Sequence, residues 1–142
     1  MTISALTIKH TSYALPFMGV MHAGKTVGFP NPSEEETHDT MDLADLLQVD
    51  MFASKLFRVQ GDSMIEAGIL NDDVLLVECT DKWKIGDIVI AEIDGEETVK
   101  YLRKDNQGKL FLEAANSKIK PMIPQEYLKV KAVIKSVIRT YG

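Results

Sequence analysis

The sequence predicts a mainly β domain with one short helix, preceded by a flexible N-terminal arm. Three observations favour this fold class. Beyond residue 50, apolar residues recur with a period of two, which is typical of strands. Turn signals, among them Asp94-Gly95 and Gly108, separate these runs. Between Gly28 and Asp39, prolines and a run of acids interrupt any regular pattern.

The composition narrows the class of protein further. The chain has 142 residues, of which 45% are hydrophobic and 26% charged, as in ordinary soluble domains. The net charge of −5 argues against direct sequence-specific binding of nucleic acid. A single cysteine, Cys79, excludes an internal disulfide. No export signal and no apolar run long enough to span a bilayer is visible, so we expect a cytoplasmic protein without a membrane partner.

The chain is predicted to divide at residue 39. Residues 1–39 form the arm and a linker, and residues 40–142 form the folded domain. The first 28 residues contain Lys9 and Lys25 but no acid, and they are too few to bury a core. The stretch "GFPNPSEEETHD", from Gly28 to Asp39, is predicted to be extended because two prolines prevent a helix or a regular ladder.

One helix and six strands are predicted within residues 40–142. The helix covers Thr40–Gln48, where three leucines follow helical spacing and Asp39 or Thr40 is available as the cap. The predicted strands are Leu56–Gln60, Val74–Cys79, Asp87–Ile93, Thr98–Lys104, Lys109–Glu113 and Val130–Arg139.

The last of these strands shows the clearest alternation. Its apolar side chains are expected on one face and its basic side chains on the other. The apolar set is Val130, Ala132, Ile134 and Ile138, and the basic set is Lys131, Lys135 and Arg139.

A phosphate-loop pattern occurs in the arm. The stretch "GVMHAGKT", Gly19–Thr26, matches G-x-x-x-x-G-K-[ST]. Such a loop needs a strand before it and a helix after it, and Pro30 and Pro32 prevent the helix. The rest of the chain also lacks the alternating strands and helices of a nucleotide-binding sheet. Nucleotide binding therefore stands as an alternative hypothesis, and we predict no cofactor.

Ser63 lies at the tip between two predicted strands, in "VQGDSMIEAG". Locally this is a turn serine, because Gly-Asp-Ser is common turn chemistry. A nucleophilic serine needs a base, and every histidine of the chain lies in the arm or the linker. Lys100 is a base only if it is buried, and alternation leaves this open because both faces of its strand are mixed.

A metal site is not predicted. The acidic run Glu34–Glu36 beside His38 offers ligands, but a charged run near prolines is usually solvated.

From Gly28 to Gly142 the chain resembles the UmuD and LexA group of self-cleaving Ser-Lys proteins, which are related in fold to signal peptidases. Six stretches in family order carry the resemblance: "GFPNPS", "MDLADLL", "VQGDSMIEAGILNDDVLLVE", "GDIVIAEIDGEETVKYL", "LEAANSKIKPMI" and "AVIKSVIR". The resemblance implies a compact β domain of the LexA/UmuD C-terminal type. It also implies a serine endopeptidase in which Ser63 is the nucleophile and Lys100, 37 positions later, is the base.

The resemblance implies further site residues. The backbone N–H groups of Asp62 and Ser63 would form the oxyanion hole, and Val27-Gly28 would be the scissile bond. Family members mostly carry a small residue before that glycine, and Val27 is bulkier, so Ala23-Gly24 stays open as an alternative bond. Because a lysine base must be neutral, cleavage is expected to be faster at alkaline pH.

The short arm favours the UmuD branch of the group, because residues 1–27 are too few for a helix-turn-helix domain. That branch implies an accessory subunit of an error-prone translesion polymerase in the SOS response to DNA damage. The implied partners are a second copy in a homodimer, a RecA–single-stranded DNA filament that promotes cleavage, and a UmuC-type polymerase. Two alternatives remain: an uncleaved dimeric interaction module, and the peptidase part of a LexA- or phage-repressor-like regulator.

Overall fold

The computed structural model describes residues 2–6, 14–16 and 40–142, with side chains at Ile3 and from Asp42 onward. The chain forms two compact units, His10–Val49 and the combination of Met1–Lys9 with Asp50–Gly142. The predicted linker, both candidate scissile bonds and the phosphate-loop pattern lie outside the described residues.

Nine strands and one helix are present in the described part of the chain. The strands are β1 (Thr2–Leu6), β2 (Ala14–Pro16), β3 (Thr40–Asp42), β4 (Ser54–Gln60), β5 (Val74–Glu78), β6 (Ile88–Ile93), β7 (Glu96–Lys104), β8 (Leu110–Glu113) and β9 (Leu128–Ile138), and the helix is α1 (Leu43–Leu46). No helix among these residues is long and apolar enough to cross a membrane.

The smaller unit contains an antiparallel pair of short strands, β2 and β3, followed by α1. The helix is shorter than Thr40–Gln48, and the prediction of its cap was wrong. Asp42 caps it, since its carboxylate accepts a hydrogen bond of 2.7 Å from the Ala44 N–H. Thr40 belongs to β3, where it pairs with Pro16, and its extended backbone places the start of the helix three residues later.

The larger unit is a seven-stranded antiparallel sheet in the order β1-β4-β5-β9-β6-β7-β8. Each of the six predicted strands is present, with ends displaced by one or two residues. The mainly β class with one short helix is therefore confirmed. Strand β1 was not predicted, and it pairs along its whole length with β4, from Thr2 opposite Gln60 to Leu6 opposite Leu56.

Strand β9 departs from the predicted alternation because it contains two bulges. Its pairing with β6 shifts by one residue between Val130 and Ala132, so Lys131 is an extra residue. A similar shift opposite β5 makes Lys135 an extra residue. Each extra residue moves the following side chains to the other face. Val130 and Ala132 consequently pack in different apolar clusters, and the prediction that they share a face was wrong.

Two buried apolar clusters hold the sheet. The first lies around the segment that carries Ser63 and contains Val59, Met64, Ile69, Leu75, Val77, Ile90, Val99, Ala115 and Ala132. The second contains Val89, Ala91, Ile93, Leu102, Leu112 and Val133. Strand β7 contributes Val99 to the first cluster and Leu102 to the second, so both of its faces are covered where Lys100 lies.

Candidate active site

Ser63 occupies a tight turn that follows β4. Gly61 leaves the strand with a φ of +107°, a conformation that favours glycine. A single 3-10 turn, Ile65–Ala67, follows Ser63 and ends at Gly68, whose φ of +81° reverses the chain. Met64 is fully buried, and Ser63 itself is 5% exposed. The turn therefore presents Ser63 from a fixed backbone rather than from a free loop.

Lys100 is positioned by the hairpin between β6 and β7. Asp94 and Gly95 have φ values of 50° and 87°, so the predicted hairpin turn is confirmed. The turn places Lys100 opposite Val89 in the ladder. The Asp94 carboxylate accepts hydrogen bonds from three backbone N–H groups, those of Gln125, Glu126 and Tyr127, at 2.7 to 3.1 Å. These bonds fasten the hairpin to the segment before β9.

The structure brings Ser63 and Lys100 into contact. Lys100 Nζ lies 3.0 Å from Ser63 Oγ, although the two residues are 37 positions apart. The same nitrogen donates to Thr98 Oγ1 at 2.7 Å and to the Val99 carbonyl oxygen at 3.2 Å. Lys100 is 4% exposed and Thr98 is 4% exposed. The amine is therefore buried and has three oxygen partners.

Burial disfavours the charged form of this amine. It lowers the pKa of Lys100 below the ordinary value of 10.5, while the negative charge of Glu96 acts in the opposite direction. A neutral amine has two N–H donors and one lone pair. When Thr98 and Val99 accept the two N–H groups, the lone pair faces the Ser63 hydroxyl. In that state Ser63 donates the hydrogen bond, as a nucleophile does to its base.

The contact opens into a cleft of about 250 Å³. Ser63, Thr98 and Lys100 form its inner wall, and Ile119 and Met122 form an apolar wall. Two carboxylates, those of Glu96 and Glu97, also line the cleft. Ser63 and Lys100 therefore both border the cleft.

Of the remaining predicted site residues, the two candidate oxyanion-hole residues are described by the structure, and the residues of both candidate scissile bonds are not. Among the described residues, none accepts a hydrogen bond from the backbone N–H of Asp62 or of Ser63. Val27 and Gly28 lie outside the described residues, as do Ala23 and Gly24.

Two other residues of the site, Thr98 and Asn116, were not predicted from the sequence. Thr98 contacts the amine of Lys100, and Asn116 Nδ2 donates to the Asp62 carbonyl oxygen at 3.1 Å. A threonine two residues before Lys100 lies on the same face of the strand, and that spacing was the one signal available for Thr98. Asn116 lies 54 positions from Asp62, and no periodicity connects them.

Comparison with known proteins identifies relatives of the chain. A family described as Peptidase S24-like matches residues 16–137. The LexA repressor of Carboxydothermus hydrogenoformans is 35% identical over 131 residues, which are 90% of this chain and 61% of that repressor. The LexA repressor of Clostridium botulinum is 42% identical over 86 residues, 61% of this chain and 42% of that protein. Protein ImpA of Salmonella typhimurium is 44% identical over 75 residues, 53% of this chain and 52% of ImpA. The chain thus spans less than two thirds of the length of each of these curated relatives.

Proposed function

Because this chain belongs to the Peptidase S24-like family, we propose that it is a serine endopeptidase that cleaves itself, with Ser63 as nucleophile and Lys100 as base. The observation that carries the proposal is the buried contact of 3.0 Å between Lys100 Nζ and Ser63 Oγ. The lowered pKa of Lys100 adds support, because a lysine must lose its proton before it can act as a base.

The proposed reaction begins with the neutral amine. Lys100 takes the hydroxyl proton of Ser63 while Oγ attacks the carbonyl carbon of the scissile peptide bond. The negative charge that develops on the carbonyl oxygen is stabilised by the backbone N–H groups of Asp62 and Ser63. Lys100 then gives its proton to the leaving nitrogen as the C–N bond breaks. Water hydrolyses the acyl-serine, again with Lys100 as base, which restores the starting state.

The fold's contribution to this chemistry is to increase the fraction of Lys100 that is neutral. An unperturbed lysine is neutral in about one molecule in 2,500 at pH 7. Burial of Lys100 between the two apolar clusters raises that fraction, since a buried ammonium lacks the hydration that stabilises it in water.

The proposed substrate is the chain's own arm, at Val27-Gly28. Gly28 has no side chain, so the backbone there can approach the walls of a narrow cleft closely. A tethered substrate makes the reaction effectively unimolecular, which offsets poor recognition of the bulky Val27. Ala23-Gly24 is the alternative bond.

The proposed cellular role is that of a cytoplasmic accessory subunit of an error-prone polymerase in the SOS response. In this role a RecA–single-stranded DNA filament stimulates removal of the arm, and the trimmed homodimer joins a UmuC-type polymerase. The proposal is supported by relatives named LexA repressor and ImpA. A second candidate, the peptidase part of a LexA-like regulator, is favoured by the match to LexA repressors that are longer than this chain.

Intact mass after incubation of the purified protein near pH 10 tests the enzymatic proposal, because even a weakly shifted lysine is substantially neutral there. We expect a fragment that begins at Gly28. It should be absent in Ser63→Ala and in Lys100→Ala, and present in Lys104→Ala, which changes an exposed lysine at the end of the same strand.

The other outcomes are equally informative. A fragment that begins at Gly24 would keep the chemistry and replace the proposed bond. Absence of any fragment from the wild-type chain, also after addition of an activated RecA filament, would overturn the peptidase proposal and favour an uncleaved interaction module.

A further inference from the structure

The loop after β8 contacts the peptide unit that precedes Ser63. Asn116 Nδ2 donates to the Asp62 carbonyl oxygen at 3.1 Å. Asn116 Oδ1 accepts from the Lys118 N–H at 3.0 Å, and this bond determines which end of the amide faces Asp62. The Ile65 N–H donates to the same Asp62 oxygen at 3.2 Å. The carbonyl of Asp62 is therefore held by two donors.

The planarity of the peptide bond turns this contact into a constraint on Ser63. The Asp62 carbonyl and the Ser63 N–H belong to one planar trans unit, in which the two groups point in opposite directions. A bond that fixes the carbonyl from one side consequently fixes the direction of the N–H on the other side. That N–H is one of the two donors of the proposed oxyanion hole.

The rest of the loop is attached to the serine turn independently of Asn116. The Glu66 N–H donates to the Ala115 carbonyl oxygen at 2.8 Å, and the Ala115 N–H contacts Met64 Sδ at 3.3 Å. Met64 is fully buried and Ala115 is 8% exposed. Because these contacts hold the two segments together, the side chain of Asn116 is free to act on a single peptide unit.

We propose that Asn116 is a positioning residue. Its hydrogen bond to the Asp62 carbonyl oxygen fixes the peptide unit between Asp62 and Ser63, so that the Ser63 N–H points toward the oxygen of the scissile carbonyl. The proposal rests on the proposed peptidase function. It adds a residue that touches neither the substrate nor the nucleophile's hydroxyl, and whose effect is exerted in the transition state, where the oxyanion forms.

The test compares self-cleavage rates of the full chain and of Asn116→Asp over pH 6 to 10. The aspartate keeps the acceptor for the Lys118 N–H and removes the donor to Asp62. We expect the rate to fall about tenfold or more at every pH, because loss of one oxyanion donor costs about 10²–10³ in rate and misalignment costs part of that. The pH at which the rate is half-maximal should stay unchanged.

Asn71→Asp is the matched control. Asn71 Oδ1 accepts from the Gly61 N–H at 2.8 Å, so an aspartate there keeps the bond and introduces the same charge near the same turn. Its rate should stay within about fivefold of the wild type, the largest effect expected of a surface charge. Asn116→Ala removes the donor without adding charge, and it should reproduce the slower rate. The melting temperature of each variant, measured alongside, identifies any loss that comes from unfolding.

The outcomes separate this inference from the proposed function. If the wild-type chain does not cleave, the peptidase proposal fails, and this inference fails with it. If the wild-type chain cleaves and both folded Asn116 variants cleave at its rate, only the role of Asn116 is overturned. A shift of the half-maximal pH without a lower maximal rate would also overturn it, because Asn116 would then act through Lys100.

Discussion

At the scale of single residues, the protonation of Lys100 is set by opposing influences, among them burial and a neighbouring carboxylate. Burial lowers its pKa, and the charge of Glu96, an exposed residue in the same cleft, raises it. On the proposed function, Glu96 restrains cleavage at neutral pH, because it favours the protonated amine that cannot act as a base.

Neutralising Glu96 should therefore accelerate the reaction. We expect Glu96→Gln to raise the self-cleavage rate at pH 7 by about 1.4- to 5-fold, the factor that corresponds to an exposed charge interaction of about 0.2–1 kcal/mol. At pH values above the pKa of Lys100 the two rates should converge, since the amine is neutral in both proteins. Fragment yield against time, followed from pH 6 to 10, measures this, with Glu126→Gln as a control on an exposed carboxylate. A slower Glu96→Gln at pH 7 would contradict the expectation.

Thr98 should affect the orientation of the amine. Thr98→Val removes the acceptor 2.7 Å from Lys100 Nζ and leaves the lone pair less well aimed at Ser63. The maximal rate at alkaline pH should fall about 2- to 12-fold, the equivalent of a net hydrogen bond of about 0.5–1.5 kcal/mol. Thr98→Ser keeps a hydroxyl and should keep most of the rate. A Val variant with the wild-type maximum would show that Val99 alone orients the amine.

The residues of the site differ in how far the sequence predicts them. Ser63 and Lys100 were identified through family resemblance. The burial of Lys100 was not predictable, because its strand has mixed faces and is covered on both of them by tertiary packing. Thr98 was not predicted to touch Lys100, although the two residues share a face of the strand, and the contact of Asn116 with Asp62 leaves no periodic signal in the sequence.

At the scale of elements, the loop after the serine turn is tied to the end of β9 by an ion pair in which the aspartate is buried and the arginine is partly exposed. Asp73 is 1% exposed and accepts from Arg139 Nε and Nη2, both at 2.6 Å, and from the Leu70 N–H at 2.7 Å. Arg139 also donates to the Gly68 carbonyl oxygen at 2.8 Å. The segment from Gly68 to Asp73 is thereby fixed between the serine turn and β5.

The Asp73 charge should contribute stability that depends on pH. Arg139, with help from the Leu70 N–H, lowers the pKa of Asp73 below the value of 3.8 expected in the unfolded chain. Because the pKa of Asp73 is lower in the folded state than in the unfolded chain, its carboxylate stabilises the fold at pH values above 3.8. This contribution is lost as the pH falls through the folded-state pKa. We expect Asp73→Asn to reduce the free energy of unfolding at pH 7 by about 1.5–3 kcal/mol, as for hydrogen bonds to charged groups.

Denaturant titrations of both proteins at several pH values test this. The difference between Asp73→Asn and the wild type should shrink below pH 3.8, where the wild-type carboxyl gains its proton and comes to resemble the amide. Asp81→Asn, in an exposed loop, should change stability by less than about 0.5 kcal/mol at every pH. A difference that stays constant down to pH 2 would mean that the charge of Asp73 contributes nothing.

The elements that the sequence predicted well are runs of five or more residues that are rich in apolar and β-branched side chains and bounded by turn signals, such as β6 and β7. Strand β1 was missed because "TISAL" is too short to show a period and its strand conformation depends on pairing with β4. The two bulges of β9 were not predicted. The extra residue in each bulge is a lysine, so the sequence still appears to alternate between apolar and basic residues. The side chains beyond the bulge nevertheless change face.

At the scale of the whole molecule, the net charge of −5 disfavours tight binding to DNA. We expect this chain to bind duplex DNA with a dissociation constant of about 1 μM or weaker at physiological salt and without sequence preference. Fluorescence anisotropy with operator DNA from a LexA relative and with a scrambled duplex measures this. Tight binding to the operator alone would contradict it and favour the regulator.

The resemblance to the LexA and UmuD group is confirmed at the level of the family by the match over residues 16–137. The UmuD branch and its partners stay predictions. The relatives named LexA repressor and the one named ImpA match overlapping parts of the chain at similar identity. A shared β domain does not determine which partner binds to its surface.

The position of β9 in the sheet has a consequence for biosynthesis. Ser63 follows β4, in the half of the sheet made of β1, β4 and β5, and Lys100 lies in the half made of β6, β7 and β8. Strand β9 is the last of these strands to be synthesised, and it is the one that joins the two halves through hydrogen bonds. A ribosome-bound chain that has not yet released residue 138 cannot complete this sheet. On the proposed function, the peptidase therefore becomes active only after β9 has left the ribosome and paired with β5 and β6.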